Sequence, residues 1–309
     1  MHMRNQEYEI IGAAFDLASR LRGCQDAPQV LREQGLIQRM RRLQRVGISV
    51  TDGGNVTGPE HSESSSVPKH LSELVEFSHD LMSRLKQIYD SARVPVVIGG
   101  NHSISIPSVT SAAEFLKASQ GKDAELGLIW IDAHPDLETP DSSGSGNIHG
   151  MAAAHLLGYG AEELCALGGF HPKIRPENII FIGLRDSSFA ERLFLKENNI
   201  TAFTDSDIGE LGINEVCKRA FGLLSQKTAG FVVSFDMDVC DPLEAPGVES
   251  PERGGLQFRE ARIIMEFIAK AEKLVSLEIV EVNPRLDIDF TTSKAAIALI
   301  EAALGATII

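Results

Sequence analysis

The 309-residue sequence has few aromatic residues, 6% in all, and fewer basic than acidic side chains. It has no uninterrupted run of the ~18 apolar residues that a membrane-spanning helix needs, so no membrane contact is expected. Its 29 lysines and arginines against 43 aspartates and glutamates give a formal charge of −14. Because a phosphate backbone is bound by clustered positive charge, this balance argues against nucleic acid and favours a small cationic partner.

Cysteine is also scarce. Cys24, Cys165, Cys217 and Cys240 form neither a CxxC pair nor a dense framework, so a network of disulfides is not expected. The N-terminus has no apolar segment of signal-peptide length. These features predict a protein of the reduced cytoplasm.

Hydrophobic residues make up 43% of the chain, which is enough for a sizeable core. Short segments rich in Val and Ile alternate with longer segments whose apolar residues have helical spacing. This alternation predicts an α/β fold, a three-layer αβα sandwich with a central parallel sheet. The predicted strands are 8–14, 94–98, 126–131, 178–184, 230–235 and 275–282, and the predicted helices are 71–92, 105–118, 150–157, 189–198, 213–224, 257–271 and 292–304.

The polar, Gly- and Ser-rich stretch 52–70 is interpreted as a surface loop. The alternation of strands and helices continues unchanged on both sides of it. We therefore expect a single domain over residues 1–309.

Four of the apolar strands run directly into polar residues. PVVIGG is followed by Asn101 and His102, LGLIWI by DAHPD at 132–136, GFVVSF by DMD at 236–238, and LEIV by Glu281. In an open parallel sheet, ligands bind at the carboxyl ends of the strands. These four segments are therefore expected to converge on one site.

The converging side chains would include four carboxylates and two imidazoles. Four anions in a partly buried cleft repel one another unless cations neutralise them, and two divalent ions would balance the charge. Such ligands suit Mn²⁺, Co²⁺, Fe²⁺, Ni²⁺ or Zn²⁺, and the lack of cysteine among them argues against a structural zinc site. Either acidic motif alone could instead be a turn or a helix cap. The candidate ligands are His102, Asp132, His134, Asp136, Asp236 and Asp238.

An extended backbone in DAHPD would turn Asp132, His134 and Asp136 to the same side. Asp236 and Asp238 would behave likewise. Chance alone would seldom place two such motifs at neighbouring strand ends.

The motifs resemble those of the ureohydrolase family, the arginases and agmatinases, and are closest to the arginases. The matching segments are GGNHS at 99–103, DAHPD at 132–136, SGNIHG at 145–150, SFDMDVCDP at 234–242 and EVNP at 281–284. The resemblance covers essentially the whole chain and implies two Mn²⁺ ions. One ion would take His102, Asp132, Asp136 and Asp236, and the other Asp132, His134, Asp236 and Asp238.

The resemblance also implies an activity, the hydrolysis of a guanidino group to urea and an amine. His149 would then carry the proton to the departing amine, and Glu281 would hold the guanidinium. Without the resemblance, His149 is interpreted as a helix N-terminal residue. His155, which has no motif around it, is interpreted as structural.

The arginase-like SGN segment, with Ser145 and Asn147, favours L-arginine as the substrate, with L-ornithine and urea as products. Glu138 departs from the arginase pattern and would repel a substrate carboxylate if it faced the site. Ser188 stands where an aspartate is expected to contact the α-amino group. Agmatine or another guanidino-alkyl compound is therefore the alternative substrate.

Asn101 departs from the family's GGDHS, since an amide replaces the carboxylate beside His102. This change leaves open a non-catalytic relative with a binding or assembly role. The resemblance further implies a homo-oligomer, a trimer or a hexamer.

Overall fold

Eight parallel strands form one sheet in the computed structural model, which describes residues 7–17, 19–59 and 67–306. The order across the sheet is β2-β1-β3-β8-β7-β4-β5-β6. The predicted α/β fold with a central parallel sheet is confirmed. The strands are β1 (Glu7–Ala14), β2 (Ser49–Thr57), β3 (Val94–Gly99), β4 (Leu126–Ile131), β5 (Ile179–Leu184), β6 (Thr201–Thr204), β7 (Gly230–Asp236) and β8 (Leu274–Val280).

Helices cover both faces of this sheet. They are α1 (Ala27–Glu33), α2 (Leu36–Arg41), α3 (Leu71–Asp90), α4 (Ser105–Gln120), α5 (Ala152–Leu156), α6 (Glu162–Cys165), α7 (Phe189–Glu197), α8 (Asp205–Leu211), α9 (Ile213–Lys227), α10 (Phe258–Lys270) and α11 (Thr291–Ala303). None of the described helices is long and apolar enough to cross a bilayer.

The central strands send alternate side chains into two hydrophobic cores, one on each face. In β4, Ile129 and Ile131 belong to the core beneath α9, α10 and α11, whereas Leu128 and Trp130 belong to the core beneath α3 and α4. Because both faces are covered, these strands are apolar throughout rather than alternating. This is why their sequences are recognisable as short continuous hydrophobic segments.

The two edge strands were not predicted. Residues 52–57 of β2 fall in the stretch 52–70 that we expected to be a surface loop, and the strand pairs with β1 in parallel register. Its sequence SVTDGGNVT has two glycines and is largely exposed, so it lacks a hydrophobic signal. β6 has only four residues and pairs with β5. Residues 60–66 of the predicted loop lie outside the described residues.

All seven predicted helices are present with small shifts at their ends, and the segment 150–157 forms a short 3₁₀ helix (Ile148–Met151) that continues into α5. The helices α1, α6 and α8, each of seven residues or fewer, were not predicted. Segments of that length contain too few apolar positions to establish a helical period. The four cysteines are all buried and free.

Candidate metal centre and adjoining cavity

Four neighbouring strands of the sheet, β3, β8, β7 and β4, bring the polar motifs to one edge. His102 begins a 3₁₀ helix just after β3, residues 132–136 follow β4, and Asp236 ends β7. Glu281 follows β8 directly. Parallel strands have their carboxyl ends at the same edge, so residues far apart in sequence become neighbours.

The backbone after β4 is bent rather than extended, contrary to the alternation expected for DAHPD. Asp136 has φ of +51° and Glu281 has φ of +61°. A non-glycine residue in this region is uncommon and is held there by its surroundings. The side chains of Asp132, His134 and Asp136 therefore converge through a turn and not through strand alternation.

The first candidate metal position lies around His102. Its Nδ1 atom is 3.0 Å from Asp132 Oδ2, 3.1 Å from Asp136 Oδ2 and 3.0 Å from Asp236 Oδ2. This nitrogen is buried and makes no hydrogen bond to any described residue. Bonds of about 2.0–2.2 Å from one ion to nitrogen and oxygen ligands would leave neighbouring ligand atoms about 3 Å apart. The spacing of these four atoms therefore fits a single metal ion.

The second candidate position lies around His134. Its Nδ1 atom is 3.0 Å from Asp238 Oδ2 and 3.5 Å from Asp132 Oδ1. His102 groups with Asp132 and Asp236, and His134 groups with Asp132 and Asp238, so Asp132 belongs to both groups. A carboxylate with one oxygen toward each group is suited to bridge two ions.

The electrostatics of the cluster favour cation binding. Burial raises the pKa of Asp136 to about 7 and that of Asp238 to about 6, and the charge of Asp132 adds to both shifts. Burial also raises the pKa of Asp236. Burial opposes ionisation of Asp132 as well, but contacts with the two histidines lower its pKa. The raised pKa values show that ionised carboxylates repel one another at this distance, and divalent ions bound between them would remove that repulsion.

Three side chains behind His102 fix its orientation. Its Nε2 atom lies 2.9 Å from Ser234 Oγ, which is 3.2 Å from Ser105 Oγ. Ser105 in turn donates to the buried Glu278 at 2.5 Å. With Nε2 occupied in this way, Nδ1 faces the carboxylates, as metal-binding histidines require.

Trp130 packs against the other side of the same imidazole. The two rings are stacked with their centroids 3.9 Å apart and an interplanar angle of 6°. The indole Nε1 donates to Asp132 Oδ2 at 3.0 Å. One buried aromatic residue therefore contacts His102 and orients the carboxylate that both candidate positions share.

Asn101 keeps a structural function despite its departure from the family pattern. Its Oδ1 accepts hydrogen bonds from the backbone N–H and the hydroxyl of Ser103, and its Nδ2 donates to Ser19. The preceding Gly100 packs so tightly that a Cβ there would lie 1.8 Å from the carbonyl oxygen of Phe15. These contacts cap the 3₁₀ helix on which His102 lies.

Glu281 and His149 adjoin the cluster. Glu281 Oε1 accepts the backbone N–H of His102 at 2.7 Å and lies 3.3 Å from His149 Nδ1. Glu281 Oε2 accepts a weak hydrogen bond from the thiol of Cys24 at 3.4 Å. Although burial lowers the pKa of His149, its contact with Glu281 more than compensates and raises that pKa to about 9. The contact with Glu281 therefore favours the protonated form of His149.

A cavity of about 380 Å³ opens over these groups. Beyond the candidate metal ligands, its lining carries several carboxylates and hydroxyl groups, and it has no lysine or arginine among the described residues. These further side chains are Glu138, His149, Asp186, Ser187, Ser188, Glu191, Glu249, Ser250 and Glu281. The cavity therefore has the charge to attract a cation.

The predicted substrate-binding residues fall into two groups. Glu138 and Ser188 line the cavity, where Ser188 also caps α7 through the backbone N–H of Glu191. Ser145 is exposed, and the buried Asn147 accepts a hydrogen bond from Lys69 at 3.3 Å. Neither Ser145 nor Asn147 is among the described residues that line the cavity, so their contact with substrate stays a prediction.

Glu249, Ser187 and Ser250 line the cavity and were not identified from the sequence. Glu249 and Ser250 lie in the loop between β7 and α10, well beyond the strand end. They belong to no strand end, and no motif in the surrounding sequence marks them.

His155 lies apart from the cavity, in agreement with its interpretation as structural. Its Nδ1 contacts the carbonyl oxygen of Met151 at 2.8 Å, and its Nε2 accepts the backbone N–H of Ala161 at 3.0 Å. Burial lowers its pKa to about 4. His155 is therefore a neutral residue that joins α5 to the next turn.

The fold and the two ligand groups define a class, the α/β proteins with a candidate two-metal centre at the carboxyl edge of a parallel sheet. A sequence model of the Arginase family matches residues 6–305, and the chain belongs to that family. The arginase of Brevibacillus brevis is 38% identical over 303 residues, which cover 97% of this chain and 98% of that protein.

Solved structures agree with this assignment. The arginase of Bacillus caldovelox has a TM-score of 0.89 at 35% identity, covering 98% of this chain and 100% of that one. The arginase of Entamoeba histolytica, solved with L-ornithine, has a TM-score of 0.89 at 27% identity with the same coverage. The similarity therefore extends over the whole fold and is not confined to the motifs.

Proposed function

We propose that this protein is a manganese-dependent ureohydrolase that hydrolyses L-arginine to L-ornithine and urea. The observation that carries the proposal is the pair of ligand groups around His102 and His134, which share Asp132 and adjoin Glu281 and His149. The arginases named above support arginine as the substrate.

The six candidate ligands fit two divalent ions, since carboxylates and imidazoles in this number suit Mn²⁺ and its neighbours in the first transition row. The ions would neutralise the carboxylates and supply activated water for attack on the guanidinium carbon. His102, Asp132, Asp136 and Asp236 would hold one ion. Asp132, His134, Asp236 and Asp238 would hold the other.

Glu281 would bind the guanidinium. Its carboxylate is held in place by the backbone N–H of His102, and it can accept parallel N–H donors from a planar cation. This contact favours the positively charged form of the substrate and fixes the plane of its guanidinium.

His149 would deliver the proton that the departing amine needs. Its 3.3 Å contact with Glu281 raises the pKa of His149, which favours the protonated imidazole, and keeps the ring beside the bound guanidinium. One water and one arginine then yield one urea and one ornithine. The imidazole recovers its proton from solvent through the open cavity.

The charge of the outer cavity favours agmatine as the second candidate substrate. Glu138, Asp186 and Glu191 line the cavity, and no described lining residue is a lysine or arginine that could pair with an α-carboxylate. An uncharged or amine-bearing tail would meet less repulsion there than a carboxylate.

Urea release from a panel of guanidino compounds, using protein loaded with Mn²⁺, tests the proposal. We expect turnover of arginine that depends on about two ions per chain. Asp236→Asn should lower both metal content and turnover by orders of magnitude, whereas Glu244→Gln, on a residue outside the cavity lining, should change neither. Full metal content and normal turnover in Asp236→Asn would refute the two-metal site. Absence of metal and of urea release in the unaltered protein would instead indicate a non-catalytic relative.

We further propose a single domain over residues 1–309, supported by one sheet whose strands come from residues 7 to 280. The trimeric or hexameric assembly and the cytoplasmic location stay predictions.

A further inference from the structure

A second carboxylate, Glu249, lies beside His149 in the cavity. Its side chain is only 3% exposed, and its Oε1 atom accepts the backbone N–H of Arg20 at 2.8 Å. Its Oε2 atom is buried and has no hydrogen-bond partner among the described residues. A buried carboxylate oxygen that accepts no hydrogen bond raises the free energy of the folded protein. A ligand with an N–H group that donated to this oxygen would therefore be bound favourably.

Glu249 and Glu281 flank His149 from opposite sides. Glu249 Oε1 is 3.9 Å from the Nε2 atom of His149, while Glu281 Oε1 is 3.3 Å from its Nδ1 atom. One polar atom from each of the three side chains lies within 4.8 Å of the other two. A planar guanidinium, which has N–H donors on several sides, is large enough to contact both carboxylates at once.

The two carboxylates differ in how their oxygens are already used. Both oxygens of Glu281 accept a hydrogen bond, one from the backbone of His102 and one from Cys24. Glu249 has one oxygen without a well-aligned hydrogen bond from a described residue, although the backbone N–H of Leu21 also lies near the carboxylate and lowers its pKa. Of the two carboxylates, Glu249 is therefore the one whose Oε2 atom can accept a further hydrogen bond.

The charge of Glu249 is compensated by His149, whose Nε2 atom is 3.9 Å away, and only weakly by Arg20. The Arg20 guanidinium is 3.9 Å from Oε1, but its side chain is 69% exposed, so water screens the interaction. Burial raises the pKa of Glu249, and the charge of Glu281 adds to this effect although His149 opposes it. A guanidinium that contacts both carboxylates beside His149 would further offset the repulsion between Glu249 and Glu281.

We propose that Glu249 is a substrate-binding residue that, together with Glu281, holds the guanidinium between two carboxylates. The proposal rests on the proposed function for the identity of the ligand as a guanidino compound. It also has a consequence for product release. Hydrolysis converts the cation into neutral urea, which lacks the charge that strengthens both contacts, so the product is held less tightly than the substrate.

Direct binding measurements separate this role from catalysis. Protein loaded with Mn²⁺ would be titrated in a calorimeter with guanidinium chloride at millimolar concentrations, and separately with urea, which has a similar shape but no charge. Glu249→Gln should raise the Kd for guanidinium at least about tenfold, because a charge-assisted hydrogen bond is lost. The Kd for urea should change less than twofold. Glu244→Gln, an acidic residue of the same loop that does not line the cavity, is the matched control and should alter neither.

The remaining outcomes would overturn the inference. An unchanged guanidinium affinity in Glu249→Gln, or no measurable guanidinium binding to the unaltered protein, would show that Glu249 does not contact the cation. A parallel loss of affinity for guanidinium and urea, or a loss of metal, would show a general disturbance of the site. A fall in kcat with unchanged guanidinium affinity would show that Glu249 acts only through His149. The binding measurement does not require turnover. An absence of urea release would therefore refute the proposed function, whereas the guanidinium titration would still test the role of Glu249.

Discussion

Acid should destabilise the protein through His155, which lies on the helix that follows His149. The side chain is 1% exposed, and its Nε2 atom accepts the backbone N–H of Ala161. The proton of the neutral imidazole therefore lies on Nδ1, toward the carbonyl oxygen of Met151. Protonation of Nε2 would place a donor against a donor and would bury a charge.

The size of the effect follows from the pKa of His155 in the folded and unfolded states. Burial lowers this pKa from 6.5 to about 4 in the folded protein. Between these pH values the unfolded chain binds more protons, so the free energy of unfolding decreases as the pH falls from 6.5 toward 4. At ~1.4 kcal/mol per pH unit, the 1.5 units between pH 6.5 and pH 5 cost about 2 kcal/mol.

Denaturant unfolding at pH 7 and pH 5 would measure this loss. The metal-free protein should be used, so that pH-dependent metal binding does not contribute. Other groups also titrate in this range, and a comparison with His155→Gln removes their contribution. We expect the unaltered protein to lose about 2 kcal/mol more than His155→Gln between the two pH values.

His79→Gln, which removes an exposed histidine on α3, should keep the pH dependence of the unaltered protein. Equal losses in the unaltered protein and His155→Gln would refute the reasoning.

Two further predictions concern the cavity. His149→Asn should retain both metal ions while kcat falls by ~10²–10⁴-fold, because the group that protonates the amine is removed; metal analysis with steady-state kinetics checks this, and lost metal or an unchanged kcat would contradict the role. Glu138→Gln should raise kcat/KM for arginine relative to agmatine on the order of tenfold, since one carboxylate that repels the α-carboxylate is neutralised. Asp141→Asn, an exposed neighbour, is the control, and an unchanged ratio in Glu138→Gln would show that Glu138 does not face the substrate tail.

The sequence was sufficient to predict the central part of the fold because the strands β3, β4, β7 and β8 are buried on both faces. Burial on both faces requires continuous apolar segments, and these are recognisable without a structure. The edge strand β2 is largely exposed and carries Asp52 and two glycines, so no such requirement shaped its sequence. Its pairing depends on the neighbouring β1, which only the three-dimensional structure reveals.

The same distinction applies to the site. His102 and Asp236 follow directly on apolar strands, so their location could be predicted from strand ends alone. Glu249 lies in a long loop, and its approach to His149 depends on the path of that loop across the sheet edge. Asn147 belongs to a motif that predicts a substrate contact, and its side chain accepts a hydrogen bond from Lys69, so that contact stays a prediction. Strand ends thus locate the residues that strands position, whereas the residues of long loops, such as Glu249, can be located only in the three-dimensional structure.

The stacking of Trp130 on His102 places the protein's single tryptophan inside the candidate metal centre. Its indole also donates to Asp132, the carboxylate that both ligand groups share. Any ion that binds these two residues changes the electric field at the indole ring. The tryptophan fluorescence of the protein therefore originates from the site itself, and ion loading can be followed in real time by indole emission, without a label and without background from a second indole.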